Sequence, residues 1–415
     1  MKPALRLTLC LILTCALTQG AAHAGDWPRW RGPQQDGHST ETGLPDEWSA
    51  LDVTWKTPLK GLGHSSPVVI GERIFLTSAV DDGRERIVMC LDRNNGRILW
   101  EQTAWTGEPE QSHQMNGWAS ATCVTDGERV IAFFGRGGGL FCYTVDGEIL
   151  WQTQLGTFEG PWGTAACPIL VGDLVIQNCD ADANAFLAAF NKKTGVEVWR
   201  APRENTRGWS TPVLIEVDGH QELVLNGHSA VRGYDPVSGK ELWSCKSFNG
   251  RGEPTVTPAG GLLYVVNGLK GDNYAVRPGG QGDVTATHMA WHAERKSGRD
   301  LPSPIVIGGV VIVSSHRAVV ITGYDAATGK ELWAQRVGNQ ISASPVAWNG
   351  LAFFVIENGE VIAVEPKSGE IMARNTVNPG ATELFRASLS PSDGQVFLRS
   401  DSVLYCIGER TAGGK

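Results

Sequence analysis

From Val53 onward the chain alternates short apolar runs with polar, glycine-bearing breaks, and no apolar stretch is long. The unit is visible in "HSSPVVIGERIFLTS" (64–78) and "SASPVAWNGLAFFVI" (342–356). A Ser-Pro entry comes first, then two β-rich runs split by a turn containing glycine. A third short run leads into Asp-x-x-x-Gly and a final strand that carries tryptophan. The glycine suits the left-handed residue of a hairpin turn, and the indole offers a large apolar surface to a neighbouring sheet.

The unit recurs. "LDRNNGRILW" ends at Trp100, "YTVDGEILW" at Trp151, "FNKKTGVEVW" at Trp199, "YDPVSGKELW" at Trp243 and "YDAATGKELW" at Trp333. A divergent copy ends at Trp291, and "VEPKSGEIMA" (364–373) has lost its tryptophan. A period of about 45 residues predicts repeated four-stranded sheets, that is, a propeller. Ser-Pro-like entries near residues 65, 119, 164, 209, 253, 302, 343 and 387 predict eight blades. The last copy holds only three strands. "DVTWKTPL" (52–59) supplies the fourth, with Trp55 in the tryptophan slot, so the two chain ends complete one blade and remove a sheet edge. The expected fold is all-β: a single eight-bladed propeller of four-stranded antiparallel blades over residues 53–408. A segment 25–52 precedes it and a tail 409–415 follows. The "SGK" of the fourth copy is a hairpin turn, since no helix follows it as a phosphate loop requires.

The third-strand slot before the turn holds Cys90, Cys142, Ala189, Gly233, Gly323, Ala363 and Cys406. All are small, which predicts a position facing the crowded ring interior, with cysteine acting as a small hydrophobe. The first 24 residues read as a signal peptide: Lys2 and Arg6, an apolar stretch Leu7–Leu17, and Ala22-His23-Ala24 before Gly25. Export through a Sec-type route is expected, into the periplasm or beyond. No later stretch reaches 18 apolar residues, so no transmembrane segment is expected. Outside the leader seven cysteines remain, an odd number, with no Cys-x-x-Cys among them. The net charge of −8 grows more acidic once the leader is lost, which argues against nucleic acid as a partner.

The pattern Ala/Gly-x-Asp-x-x-Thr-Gly-Lys-x-x-Trp resembles the pyrroloquinoline-quinone (PQQ) repeat, and it covers nearly the whole chain. The opening "WPRWRGPQQDG" (27–37) is similar to the start of exported PQQ-like proteins. Two branches carry the repeat: the BamB-like exported propellers, which are binding scaffolds, and, more distantly, the quinoprotein dehydrogenases, which use PQQ with calcium. This chain lacks the adjacent cysteine pair of the dehydrogenases, and their Glu-Asn-Asp set has no matching motif. Cys15 is preceded by Ile12-Leu13-Thr14, a poor lipobox, so the lipid anchor of the BamB branch is not carried over.

Candidate chemistry lies in the entry loops. They hold His64, His113, Asn116, Trp118, Trp162, Trp209, Arg251, Gln340 and Arg386. The three tryptophans sit outside the repeat's own slot. They are expected to form an aromatic wall beside the central channel with His and Arg opposite, a place for a flat or anionic ligand. A plug between inner strands is the plain alternative. Asn178, Asn226 and His228 follow second strands and are expected on the same face. "DADAN" (180–184) has the alternation of a calcium loop but lacks its glycine and closing glutamate. His288 and His292 are expected as a surface pair on one strand. The function that follows is a binding scaffold for a protein or a ligand. A PQQ- and calcium-dependent oxidoreductase and a polysaccharide-binding propeller are the alternatives.

Overall fold

In the computed structural model, described for residues 25–248, 250–295, 300–380 and 382–409, eight antiparallel four-stranded sheets follow one another along the chain. The leader lies outside the described residues, as do positions 410–415 of the tail. Seven blades occupy 68–106, 124–153, 169–202, 213–246, 257–293, 305–336 and 346–376. The eighth combines Ser390–Ser392, Gln395–Arg399 and Val403–Ile407 with the N-terminal strand Val53–Pro58, which pairs antiparallel with Val403–Ile407. The expected closure from both chain ends is therefore present. Among the described residues the helical content is four single turns, such as Gly135–Gly138. No helix among the described residues is long and apolar enough to cross a membrane.

The tryptophan slot explains the repeat. Except for Trp243, each indole of the repeat leans out of its blade's outer strand into the hairpin turn of the next blade. Its N–H donates to a turn carbonyl: Trp55 to Arg93 at 3.0 Å, Trp100 to Val145 at 3.0 Å, Trp151 to Lys192 at 2.9 Å and Trp199 to Pro236 at 3.1 Å. Trp291 and Trp333 repeat the bond to Ala326 and Pro366. The turn glycine leaves room for the ring: a Cβ on Gly369, at φ +75°, would stand 2.4 Å from Trp333 Cε3.

The small third-strand slot has a different cause from the one expected. These residues lie directly across from the tryptophan, as Cys90 does from Trp100 and Gly323 from Trp333. The indole lies over them: a Cβ on Gly233 would meet Trp243 Nε1 at 2.2 Å. Smallness here makes space for a ring rather than for a crowded axis.

Two departures have local reasons. In the fifth blade the hairpin turn is replaced by residues 277–288. There Gly282–Asp283 runs parallel along Glu241–Lys246 as a fifth strand of the fourth blade. Trp243 has no turn to enter and gives its N–H to the buried Glu222 carboxylate at 2.7 Å. In the seventh blade Ala373 replaces tryptophan because the eighth blade is built from two chain ends and offers no such turn. Trp48 of the N-terminal segment supplies the missing ring, stacked 6.1 Å from Phe353 in the apolar cluster that Ala373 joins.

Candidate functional site

A closed ring of hydrogen bonds circles the axis where the chain enters each blade. Its members are Ser66, Thr122, Cys167, Thr211, Thr255, Ser303, Ser344 and Ser388. Each backbone N–H donates to the side-chain oxygen or sulfur of the next member, at 2.9 to 3.3 Å. This girdle is the physical content of the Ser-Pro and Thr-Pro entries. Its hydroxyls satisfy amides that the narrow axis would otherwise leave unpaired.

All eight girdle residues line one axial cavity of about 200 Å³. Successive same-side positions on an extended chain are two apart. Two residues upstream of each girdle member stands His64, Ser120, Ala165, Trp209, Glu253, Leu301, Ser342 or Arg386, and all eight line the cavity as well. The girdle is built only of Ser, Thr and Cys; this second ring holds seven different residue types, with serine alone occurring twice.

The N-terminal segment crosses the other end of the axis and makes the cavity a cup. It exchanges backbone bonds with blade one (Trp27 with Val69, 2.8 and 2.9 Å) and with blade seven (Ala347 to Gly37, 2.8 Å). Gln35 Nε2 reaches the Pro212 carbonyl at 3.1 Å. Arg31, fully buried, donates to Thr257 Oγ1 at 2.8 Å and to the Pro304 carbonyl at 2.7 Å. Burial pushes its pKa down to about 10, so it stays charged at neutral pH. Trp30 is the floor of the cup.

The mouth is built by loops. Between Glu110 and Trp118 the chain forms an Ω-shaped tip whose base is closed by the Trp118 N–H on the Glu110 carbonyl at 2.8 Å. His113, Met115 and Asn116 of this tip line the cavity, and Asn116 Nδ2 donates to the Trp162 carbonyl at 3.0 Å. His113 sits 4.9 Å from the Trp162 ring. Trp209 lines the cavity with its N–H on the Gly163 carbonyl at 2.9 Å. Trp118 does not join them: it packs over Gly83, where a Cβ would stand 2.4 Å from its ring, and outside the cavity lining. The aromatic wall thus comprises Trp162, Trp209 and the Trp30 floor.

Several other expected site residues are spent on holding blades together. Asn178 Nδ2 donates to the Ser210 carbonyl at 3.0 Å, and Asn226 Nδ2 to the Pro254 carbonyl at 3.0 Å. Both are buried and neither lines the cup. His228 is exposed with Nδ1 2.9 Å from the Gly250 carbonyl, and Gln340 is exposed beyond the lining. In "DADAN", Asp180 pairs with the buried Arg203 and Asp182 with Arg207, so both carboxylates are neutralised by arginine. The two histidines of "THMAWHAE" are parted. His288 ends a helical turn, while His292 stacks on Phe248 at 3.7 Å and meets Asp272 at 2.8 Å.

The cup is electropositive on one side. Arg386 gives Nε to Glu357 at 3.2 Å and Nη1 to the Gln114 carbonyl at 3.1 Å, which ties the eighth blade to the Ω-shaped tip. Arg399, wholly buried beside Ser65, is pushed down to about 9 by desolvation. His64 is held down to about 3, first by burial and then by Arg386 and Arg399, so it is neutral at pH 7. Arg251 lines the cup, its backbone bonded to Asn267 and Glu253 and its guanidinium without a hydrogen-bonding or ionic partner among the described residues.

All seven described cysteines are free and buried. Burial raises every thiol, Cys123 to about 12, which keeps them protonated and unreactive. For the calcium of the dehydrogenase branch the donors do not fit. No group of three or more His, Cys, Asp or Glu side chains among the described residues is placed to hold a cation. Of the carboxylates near the cup, Glu357 is taken by Arg386 and Ser342, and Glu253 accepts from the Leu269 amide at 2.9 Å.

Of the eight positions in this second ring, the sequence reading named His64, Trp209 and Arg386 and passed over Ser120, Ala165, Glu253, Leu301 and Ser342. The signal that finds them is the position two before each girdle residue. It also missed Trp30, whose segment has no repeat to read.

Known proteins agree with this architecture. A family model described as outer membrane protein assembly factor BamB matches residues 45–160, 84–322 and 183–412. The outer membrane protein assembly factor BamB of Moranella endobia is 22% identical over 328 residues, 75% of this chain and 69% of that protein. The dehydrogenase subunit of the quinone alcohol dehydrogenase of Gluconacetobacter polyoxogenes is 31% identical over 140 residues, only 31% of this chain and 19% of that protein. Among solved structures, a europium-containing methanol dehydrogenase superposes with a TM-score of 0.69 at 12% identity, covering 93% of this chain and 98% of the other.

Proposed function

Because this chain belongs to the family described as outer membrane protein assembly factor BamB, we propose that it works by binding, as a rigid scaffold whose working face is the one onto which the axial cup opens. One observation carries this reading: the second ring of the cup holds seven different residue types in its eight blades, while the girdle beneath it is built only of Ser, Thr and Cys. A wall that served only closure would repeat with the fold; a wall that varies is suited to recognition. The partner class is a protein segment or a ligand reaching this face. Export is part of the proposal and is supported by the leader pattern of residues 1–24.

The test is site-specific photo-crosslinking in the native host. Crosslinkers at His113 and Gln340 sample the cup face, and those at Ile149 and Val237 sample the exposed outer rim. Defined adducts from the face, absent from the rim, are expected. Adducts from the rim alone would overturn the reading. A polysaccharide adduct from the face would move the partner class from protein to glycan.

A further inference from the structure

The cup's size, charge and donor pattern together narrow what it holds. Its volume of about 200 Å³ is below the roughly 300–1,000 Å³ of sites for drug-sized ligands. One ring with a short substituent suits it better than a polycyclic cofactor. Its apolar arc comprises Trp30, Met115, Trp162, Trp209 and Leu301, so the body of the ligand is apolar and flat.

Charge fixes the other end. Arg251, Arg386 and Arg399 lie in or directly behind the wall, against Glu253 and Glu357. Arg386 and Glu357 satisfy one another, and Glu253 is turned onto the Leu269 amide. Of the arginines lining the cup, only Arg251 has a guanidinium without a partner among the described residues, in a chain whose formal charge is −8. A single planar guanidinium selects a single carboxylate through two parallel N–H···O bonds. A phosphate dianion would call for a second free cation.

The girdle adds donors. The oxygens of Ser66, Thr255, Ser303, Ser344 and Ser388 already accept a neighbouring amide. None of these five gives its O–H to a protein acceptor among the described residues. The free donor of each hydroxyl is left for whatever enters the cup. Ser120 Oγ and Trp162 Nε1 are buried there without protein partners as well.

We propose that the axial cup is a metal-independent receptor for a compact aromatic carboxylate, its carboxylate on Arg251 and its ring against Trp209 and the Trp30 floor. This rests on the cup face being the working face. Binding joins no bond and breaks none.

The experiment is calorimetric and fluorescence titration of the full chain with benzoate and phenylacetate, in chelator. Inorganic phosphate, cyclohexylamine and PQQ are run beside them. Saturable binding of an aromatic carboxylate is expected. It should weaken at least about tenfold in Arg251→Gln, recover in part in Arg251→Lys, and weaken in Trp209→Leu. Phosphate and the amine should not compete. Three results would overturn the proposal: no binding of either carboxylate at about 10 mM, equal binding by Arg251→Gln, or tighter binding of phosphate or PQQ. Failure here with face-specific crosslinks intact would sink the ligand class and leave the scaffold reading standing.

Discussion

The amide of Ser388 donates to Ser66 Oγ at 3.0 Å, and through this bond the last blade meets the first inside the girdle. The same relation links every other neighbouring pair around the axis. Stability near the axis is therefore shared among eight equivalent amides rather than stored in one core.

Replacing one acceptor isolates the worth of such a bond. Thr211→Val keeps the shape but leaves the Cys167 amide, now 3.0 Å from Thr211 Oγ1, buried and unpaired. A loss of about 1–3 kcal/mol in denaturant unfolding is expected, with Thr211→Ser restoring most of it.

The turn glycines divide into two classes. Gly369→Ala forces a Cβ to within 2.4 Å of Trp333 at φ +75°, whereas Gly308, at φ +57°, has nothing within 4 Å of the added atom. Both pay for the left-handed backbone, about 1 kcal/mol. Only Gly369→Ala should also displace an indole, seen as a shift in tryptophan fluorescence together with a larger drop in melting temperature.

His64 makes stability fall with acid. Its folded pKa of about 3 is below the ordinary 6.5, so below pH 6.5 the unfolded chain takes a proton that the native chain refuses. The stabilisation is complete above pH 6.5 and is lost progressively as pH falls toward 3. His64→Gln should flatten this limb of the stability curve while leaving stability above pH 7 less affected, measured by urea midpoints between pH 7.5 and about 4.5.

The two aspartates of "DADAN" should behave differently. Arg203 and Asp180 are each about 4% exposed, so Asp180→Asn strands a buried cation and is expected to cost about 3–5 kcal/mol. Arg207 and Asp182 are about a third exposed, and Asp182→Asn should cost no more than about 1 kcal/mol. Equal costs from thermal unfolding would refute this division.

Blade number, closure and the tryptophan unit were legible because they repeat, and the repeat reflects one packing problem solved many times. The reason for the small slot was not legible, since spacing tells which residues are small but not what lies over them. Trp118 was expected in the wall for a related reason: a loop's sequence gives its position and not its direction, and this ring packs over Gly83, where the missing Cβ leaves room for it. Asn178 and Asn226 read as polar tips but are buried fasteners, because a ring of blades needs acceptable partners for the carbonyls at every seam. The floor was hidden most completely. Arg31 and Trp30 belong to a segment ordered by bonds to several different blades, and nothing periodic announces such contacts.

The eighth blade also sets an order of events. Val53 pairs with Ile407, so the first strand of the ring waits for its last. Until then the first and seventh blades each keep an open seam. A chain interrupted shortly before residue 403 would carry every other blade and still lack the one strand, Val403–Ile407, that receives Val53–Pro58. The ring thus carries a checkpoint written into its topology: only a chain translated past residue 407 can hide both seams from proteases and from other unfinished copies.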